Sequence, residues 1–223
     1  MPAGYGHWHT ISNLVKTPNC ELTLVSWPLA PNSPAPVTFP LLCEVTQQIA
    51  REAREAGEEL IICGDSAGGA LAFSLTLHLL KNDPTFLAPS KLIALVPAAC
   101  LRIERMLDIA PLDPVFNIPL LRYMQESWCG DWPVDDPRLS AVDNDMAILK
   151  EHNVKVHVTC AGLDCLAPGQ LLLRSKLEEA NVEGTFKYWP KQFHMSSAVG
   201  AMLGNFGFWD CRKMSDAYLA EYL

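Results

Sequence analysis

Ser66 stands in Gly64-Asp65-Ser66-Ala67-Gly68-Gly69, a serine with a glycine two positions to either side. A serine hydroxyl is a weak nucleophile until a neighbouring base takes its proton, and that base needs an acid to fix its tautomer. The chemistry such a set performs is acyl transfer: attack on a carbonyl, a covalent acyl intermediate, and release by water. The search is therefore for one histidine and one carboxylate that the fold can bring to Ser66.

The elements around Ser66 say how it is presented. The apolar run 60–63 reads as a short strand and 67–81 as a helix ended by Asn82-Asp83-Pro84. Strand, sharp turn and helix around Gly-x-Ser-x-Gly make the nucleophile elbow, which exposes the serine at the top of a parallel sheet. The glycines at 64 and 68 are expected to let strand and helix approach closely around a strained turn.

In such a sheet, functional loops lie beyond the carboxyl ends of the strands, and the chain order is serine, acid, histidine. Val154, Val156 and Val158 alternate as a strand does, and Asp164 follows that strand in Ala161-Gly162-Leu163-Asp164. Its rival role is to cap the helix expected over 168–180. Asp143 and Asp145 precede the strand and are weaker choices for the acid. His194 follows the last expected strand, 185–189, and is the one histidine after Asp164. His78 falls in a helix, His152 in a polar turn, His157 inside a strand, and His7 and His9 precede Ser66. Asp65 is assigned to fixing the elbow. The backbone N–H of Ala67 is the first oxyanion donor this arrangement supplies.

Further elements complete the frame. A strand is expected at 22–27, a proline-dense ordered loop that cannot be helix at 28–40, and a helix through Leu42, Val45, Ile49 and Ala53 stopped by Gly57. Another strand is expected at 92–96, and the chain from Met195 onward is expected to be largely helical. Strands alternating with helices of this length mean a parallel α/β sheet.

Composition agrees with a folded enzyme and excludes other classes. The chain has 223 residues, 49% hydrophobic and 19% charged, with a net charge of −8. One domain over 1–223 is the expectation, and an acidic chain without a basic stripe is not a nucleic-acid binder. The eight cysteines form no CxxC pair or zinc spacing, so neither metal nor cofactor is expected and a reducing, cytoplasmic setting is the simplest account. No apolar run approaches the ~20 residues of a membrane span, and no signal peptide is read at the start.

These residues resemble the hormone-sensitive-lipase-like branch of the α/β-hydrolases, the esterases that carry Gly-Asp-Ser-Ala-Gly-Gly. Leu29-Ala30-Pro31-Asn32 is similar to that family's Leu-Ala-Pro-Glu-His-Pro segment, and Gly162-Leu163-Asp164-Cys165-Leu166 to its acid motif. Pro2-Ala3-Gly4-Tyr5-Gly6-His7-Trp8 resembles fungal members associated with secondary metabolism. The resemblance implies an α/β-hydrolase fold, a mostly parallel sheet with helices on both faces, and a small-molecule carboxylic ester as substrate. The nucleophile would be Ser66, the acid Asp164 and the base His194. The family's His-Gly-Gly-Gly oxyanion loop does not occur in the sequence, and its N-terminal cap and first strands are expected to be missing.

Two consequences are expected. The strand at 22–27 should pack directly beside 60–63, closing the place of the missing strand, because a gap would expose unpaired backbone. Residues 103–140 should form a small lid in which Val115, Phe116, Ile118, Leu120, Leu121 and Tyr123 offer an apolar face to the acyl or alcohol group; covering the sheet is the alternative. The function read from this set is hydrolysis of small or medium hydrophobic esters, in secondary metabolism. The alternative is a truncated, weak or inactive hydrolase-like protein, since loss of one oxyanion donor costs about 10²–10³ in rate.

Overall fold

Four short strands form the sheet: β1 (Ile61–Asp65), β2 (Lys91–Leu95), β3 (Lys155–Ala161) and β4 (Gly184–Trp189), in the order β1-β2-β3-β4. Each neighbouring pair is parallel, with Ile61 opposite Lys91, Lys91 opposite Lys155 and Val156 opposite Gly184. The computed structural model describes residues 21–196 without a break, together with 7–8, 11–12, 15–16 and 218–222.

The chain divides into two compact units. Ala30–His194 holds the sheet and is treated first. Its helices are α1 (Ala35–Ala56), α2 (Ala67–Asn82), α3 (Ile118–Cys129), α4 (Ala147–Glu151) and α5 (Ala167–Glu179). The other unit joins Met1–Leu29 to Met195–Leu223. Among its described residues, 218–222 are helical and Tyr218 and Leu219 are buried.

The core follows from the strand alternation. Leu92 and Ala94 on β2, and Val156 and Val158 on β3, share one face of the sheet. Phe73, Leu77 and Leu80 of α2 and Leu173 and Leu177 of α5 pack in the same cluster. Helix α2 is apolar around most of its circumference, and from Gly69 to Leu80 every residue but His78 is buried. A helix of that kind is stable only in an interior.

The expectation of an unbroken loop over 28–40 is corrected. Helix α1 begins at Ala35, with Pro36 in its first turn and Pro40 inside it. Proline suits the first turn because the N–H groups there have no intrahelical acceptor. Pro40 sits one turn further in, where Thr38 and Phe39 are buried and hold the segment in place. The helix ends as expected at Gly57, whose φ of 71° lets its N–H cap Ala53 and Arg54.

The strand expected at 22–27 is also corrected. Residues 21–29 carry no strand, and β1 pairs only with β2 among the described residues. Without a strand at 22–27, the expected ladder with 60–63 lacks its first member. Of the helix expected from Met195 onward, Ser196 and 218–222 are helical and 197–217 lie outside the described residues.

The segment 103–140 has no strand, as expected, and contains two short 3₁₀ turns followed by α3. Its apolar residues divide. Phe116, Ile118 and Leu121 pack with Ile103, Met106, Cys165 and Leu166, whereas Val115, Leu120 and Tyr123 are exposed.

Candidate active site

The turn from β1 into α2 holds Ser66 in a backbone conformation that side chains rarely adopt, φ 53° and ψ −117°. Three backbone hydrogen bonds impose it. Ser66 N–H donates to Leu95 O at 2.8 Å, and Ser66 O accepts from Ala70 N–H at 3.1 Å and Ala98 N–H at 3.0 Å. The strain is thus held by the end of β2 on one side and the first turn of α2 on the other. A Cβ on Gly64 would overlap the backbone of Gly68, so that glycine is required. Gly68 itself has room for a side chain, since a Cβ there meets only Asp65 Oδ1, at 3.9 Å. The close approach assigned to both glycines rests on Gly64.

Asp164 lies just beyond β3, fully buried. Its N–H donates to Ala161 O at 3.2 Å and its O accepts from Ala167 N–H at 2.9 Å, which makes the turn into α5. The carboxylate is surrounded by donors. Oδ1 accepts from Leu166 N–H at 2.8 Å, and Oδ2 accepts from Gln170 Nε2 at 3.1 Å. The capping role and the role beside histidine are both present: one oxygen serves the turn, the other faces the ring.

His194 comes from the loop after β4 and is 2% exposed. That loop is tied to the acid loop, with Gly162 N–H donating to Trp189 O and Leu163 N–H to Gln192 O, each at 2.8 Å. His194 Nδ1 lies 2.8 Å from Asp164 Oδ2 and Nε2 lies 2.8 Å from Ser66 Oγ. A nitrogen facing a carboxylate must carry the proton, so Nδ1–H donates and Nε2 is the acceptor for the serine hydroxyl. The three residues expected from the sequence are brought into one line.

The rivals have other work. Asp143 pairs with Arg102, and Asp145 accepts Ala147 N–H at 2.9 Å at the start of α4. His78 packs edge-on to Phe39, and burial is the main cause lowering its proton affinity. His157 faces Thr185 across β3 and β4 at 3.0 Å.

Phe116, expected only as part of the lid's apolar face, sets its ring 4.7 Å from that of His194, tilted by 49°. Two further neighbours of the line, Asp113 and Gln170, carried no signal in the sequence. Asp113 takes Cys165 N–H on Oδ2 at 2.7 Å and Val115 N–H on Oδ1 at 2.7 Å. Gln170 touches the acid directly. Nothing in the spacing of the sequence joins Asp113 to Asp164. The two thiols beside the acid stay protonated. Burial first, then the Asp164 charge, pushes Cys160 up to about 12; burial first, then Asp113, pushes Cys165 up to about 12. Among the described residues no group of three His, Cys, Asp or Glu could hold a metal ion.

A family model described as the alpha/beta hydrolase fold matches residues 5–197. The chain belongs to the alpha/beta hydrolase fold family. This alpha/beta hydrolase is 28% identical over 186 residues to an esterase of Acinetobacter venetianus, a match covering 82% of the chain and 59% of that relative. It therefore spans about three fifths of the length of the curated relative it matches. Among solved structures it is similar to an esterase from the bacterial hormone-sensitive lipase family, at TM-score 0.76 and 19% identity over 95% of this chain and 69% of the other. It is also similar to carboxyl esterase 2 of Tuber melanosporum, at TM-score 0.76 and 18% identity over 96% of this chain and 72% of the other. Those two likenesses establish the fold. No helix among the described residues is long and apolar enough to cross a membrane, and the described cysteines are free.

Proposed function

We propose that this alpha/beta hydrolase cleaves carboxylic esters through Ser66, His194 and Asp164. The observation that carries the reading is the unbroken line of two 2.8 Å contacts, Ser66 Oγ to His194 Nε2 and His194 Nδ1 to Asp164 Oδ2. His194 Nε2 takes the hydroxyl proton as Ser66 Oγ attacks the ester carbonyl carbon. The tetrahedral intermediate then expels the alcohol, which leaves with the proton from Nε2. Water attacks the acyl-serine, His194 again acts as base, and the carboxylic acid leaves as Ser66 regains its proton. Asp164 holds the Nδ1 proton and offsets the charge of the imidazolium. Ala67 opens α2, and the first N–H groups of a helix have no intrahelical acceptor, which suits its N–H to the oxyanion.

A hydrophobic ester fits the surroundings. Phe116 lies against His194, and Val115, Leu120 and Tyr123 in the same segment are exposed apolar groups. We assign residues 103–140 to a lid on this basis, with small or medium acyl groups as substrates. A place in secondary metabolism rests on the resemblance of residues 2–8 alone. The alternative reading is a weak or inactive hydrolase-like protein.

Turnover of p-nitrophenyl acetate and butyrate by the purified chain, beside Ser66→Ala, tests the two readings. A rate that disappears with Ser66→Ala supports the esterase. Equal rates for both proteins overturn it.

A further inference from the structure

Gln170 is fully buried one turn into α5, and its Nε2 donates at 3.1 Å to the same Asp164 oxygen that accepts His194 Nδ1–H at 2.8 Å. Its Oε1 has no hydrogen-bond partner among the described residues. A buried acceptor left unpaired is unfavourable and calls for a reason. The carboxamide orientation supplies it: turned over, Oε1 would face the carboxylate and repel it, so the donor must point at Asp164.

We propose that Gln170 is a positioning residue for Asp164, fixing Oδ2 opposite His194 and moderating the strength of the Asp164–His194 hydrogen bond. Asp164 has no exposure to water, and its carboxylate accepts Leu166 N–H, Gln170 Nε2 and His194 Nδ1–H. Leu166 holds the other oxygen, so among the described residues Gln170 is the one donor that shares Oδ2 with the imidazole. Withdrawing it leaves Oδ2 a stronger acceptor for Nδ1–H but freer to rotate about the Leu166 contact. Among the described residues, the titratable groups near the pair are Cys160 on β3 and Cys165 beside the acid, with Asp113 from the segment before α3 against Cys165. Both thiols are protonated across the working range, and the Asp113 carboxylate is engaged by the N–H groups of Cys165, Val115 and Phe116.

The test compares Gln170→Met and Gln170→Glu with the wild type by two readouts. The first is the proton resonance of His194 Nδ1–H, which reports the hydrogen bond whether or not the protein turns over an ester. The second is the pH profile of kcat and KM, which rests on the esterase reading. Gln170→Met is expected to move the resonance further downfield, shift the acidic limb of kcat/KM to higher pH, and lower kcat about tenfold with KM unchanged, a hydrogen bond to a charged group being lost. Gln170→Glu is expected to stay active above the acidic limb while its carboxyl donates a proton to Asp164, and to lose activity at higher pH as that proton leaves. An unchanged resonance and acidic limb in Gln170→Met overturn the proposal. So does failure of both variants to fold, since the side chain would then serve packing. A wild type without Ser66-dependent turnover removes the esterase reading but leaves the resonance comparison decisive for Gln170.

Discussion

The carboxylate of Asp113 accepts the backbone N–H of Cys165 at 2.7 Å, joining the segment before α3 to the residue after Asp164. Its other oxygen takes the N–H groups of Val115 at 2.7 Å and Phe116 at 3.2 Å, and the Phe116 ring lies 4.7 Å from that of His194. One side chain therefore fixes both the loop that carries the acid and the ring against the base. Asp113→Ala leaves a partly buried N–H without an acceptor, which costs about 1–3 kcal/mol. Denaturant unfolding should show that loss together with a fall in kcat. A variant with wild-type stability and kcat would show that the clamp does not hold the site.

The elbow makes an asymmetric prediction about its two glycines. Gly64→Ala drives a methyl group into the backbone of Gly68 and is expected to lose at least about 3 kcal/mol or to fail to fold. Gly68→Ala meets nothing closer than 3.9 Å. In the first turn of α2 it should be neutral or stabilise by up to about 1 kcal/mol, because alanine is the better helix former. Urea unfolding of the two variants decides it, and equal destabilisation would contradict the geometry.

Much of the site could be read in the sequence because its three residues follow strands of one parallel sheet. The loops after those strands contain few candidates, and His194 is alone after Asp164. The first turns of helix α1 were hidden by its prolines. Pro36 and Pro40 argue against helix by residue type, yet Pro36 lies where a helix tolerates it and the burial of Thr38 and Phe39 outweighs the hydrogen bond lost at Pro40. Residues 22–27 have strand composition but no ladder partner, and pairing is not a property of the segment. Asp113 and Gln170 could not be found because each contact joins residues that only packing brings together.

A pH dependence of stability is expected at Asp136. Arg138 donates to both carboxylate oxygens, at 2.9 and 2.6 Å, and its guanidinium lies 3.4 Å over Trp132. The Arg138 hydrogen bonds hold the Asp136 carboxyl below its usual range. A depressed folded-state value means stability that is present above the unfolded value, about 3.9, and is lost as pH falls through the folded one. Asp136→Asn should therefore be less stable than wild type at pH 7, by on the order of 1 kcal/mol, and the difference should narrow below about pH 4. Melting curves from pH 7 to pH 3 check this; a gap that widens on acidification would contradict it.

The thiols beside the acid should be silent. Cys160 and Cys165 are fully buried and pushed up to about 12, so a disulfide reagent at pH 8 should leave both unmodified in the native protein. Peptide mapping after unfolding in guanidinium should find both modified. Labelling of Cys165 in the native state would mean that the acid loop is not packed as described.

The most direct measurement of the account is the covalent labelling of Ser66 by a fluorophosphonate, followed by intact mass and peptide mapping. The reagent reports an activated serine without depending on the natural ester. A single adduct on Ser66 is expected in the wild type, forming at least about 10²-fold more slowly when His194→Ala removes the general base. No adduct on Ser66, or one that forms equally fast in His194→Ala, would contradict it.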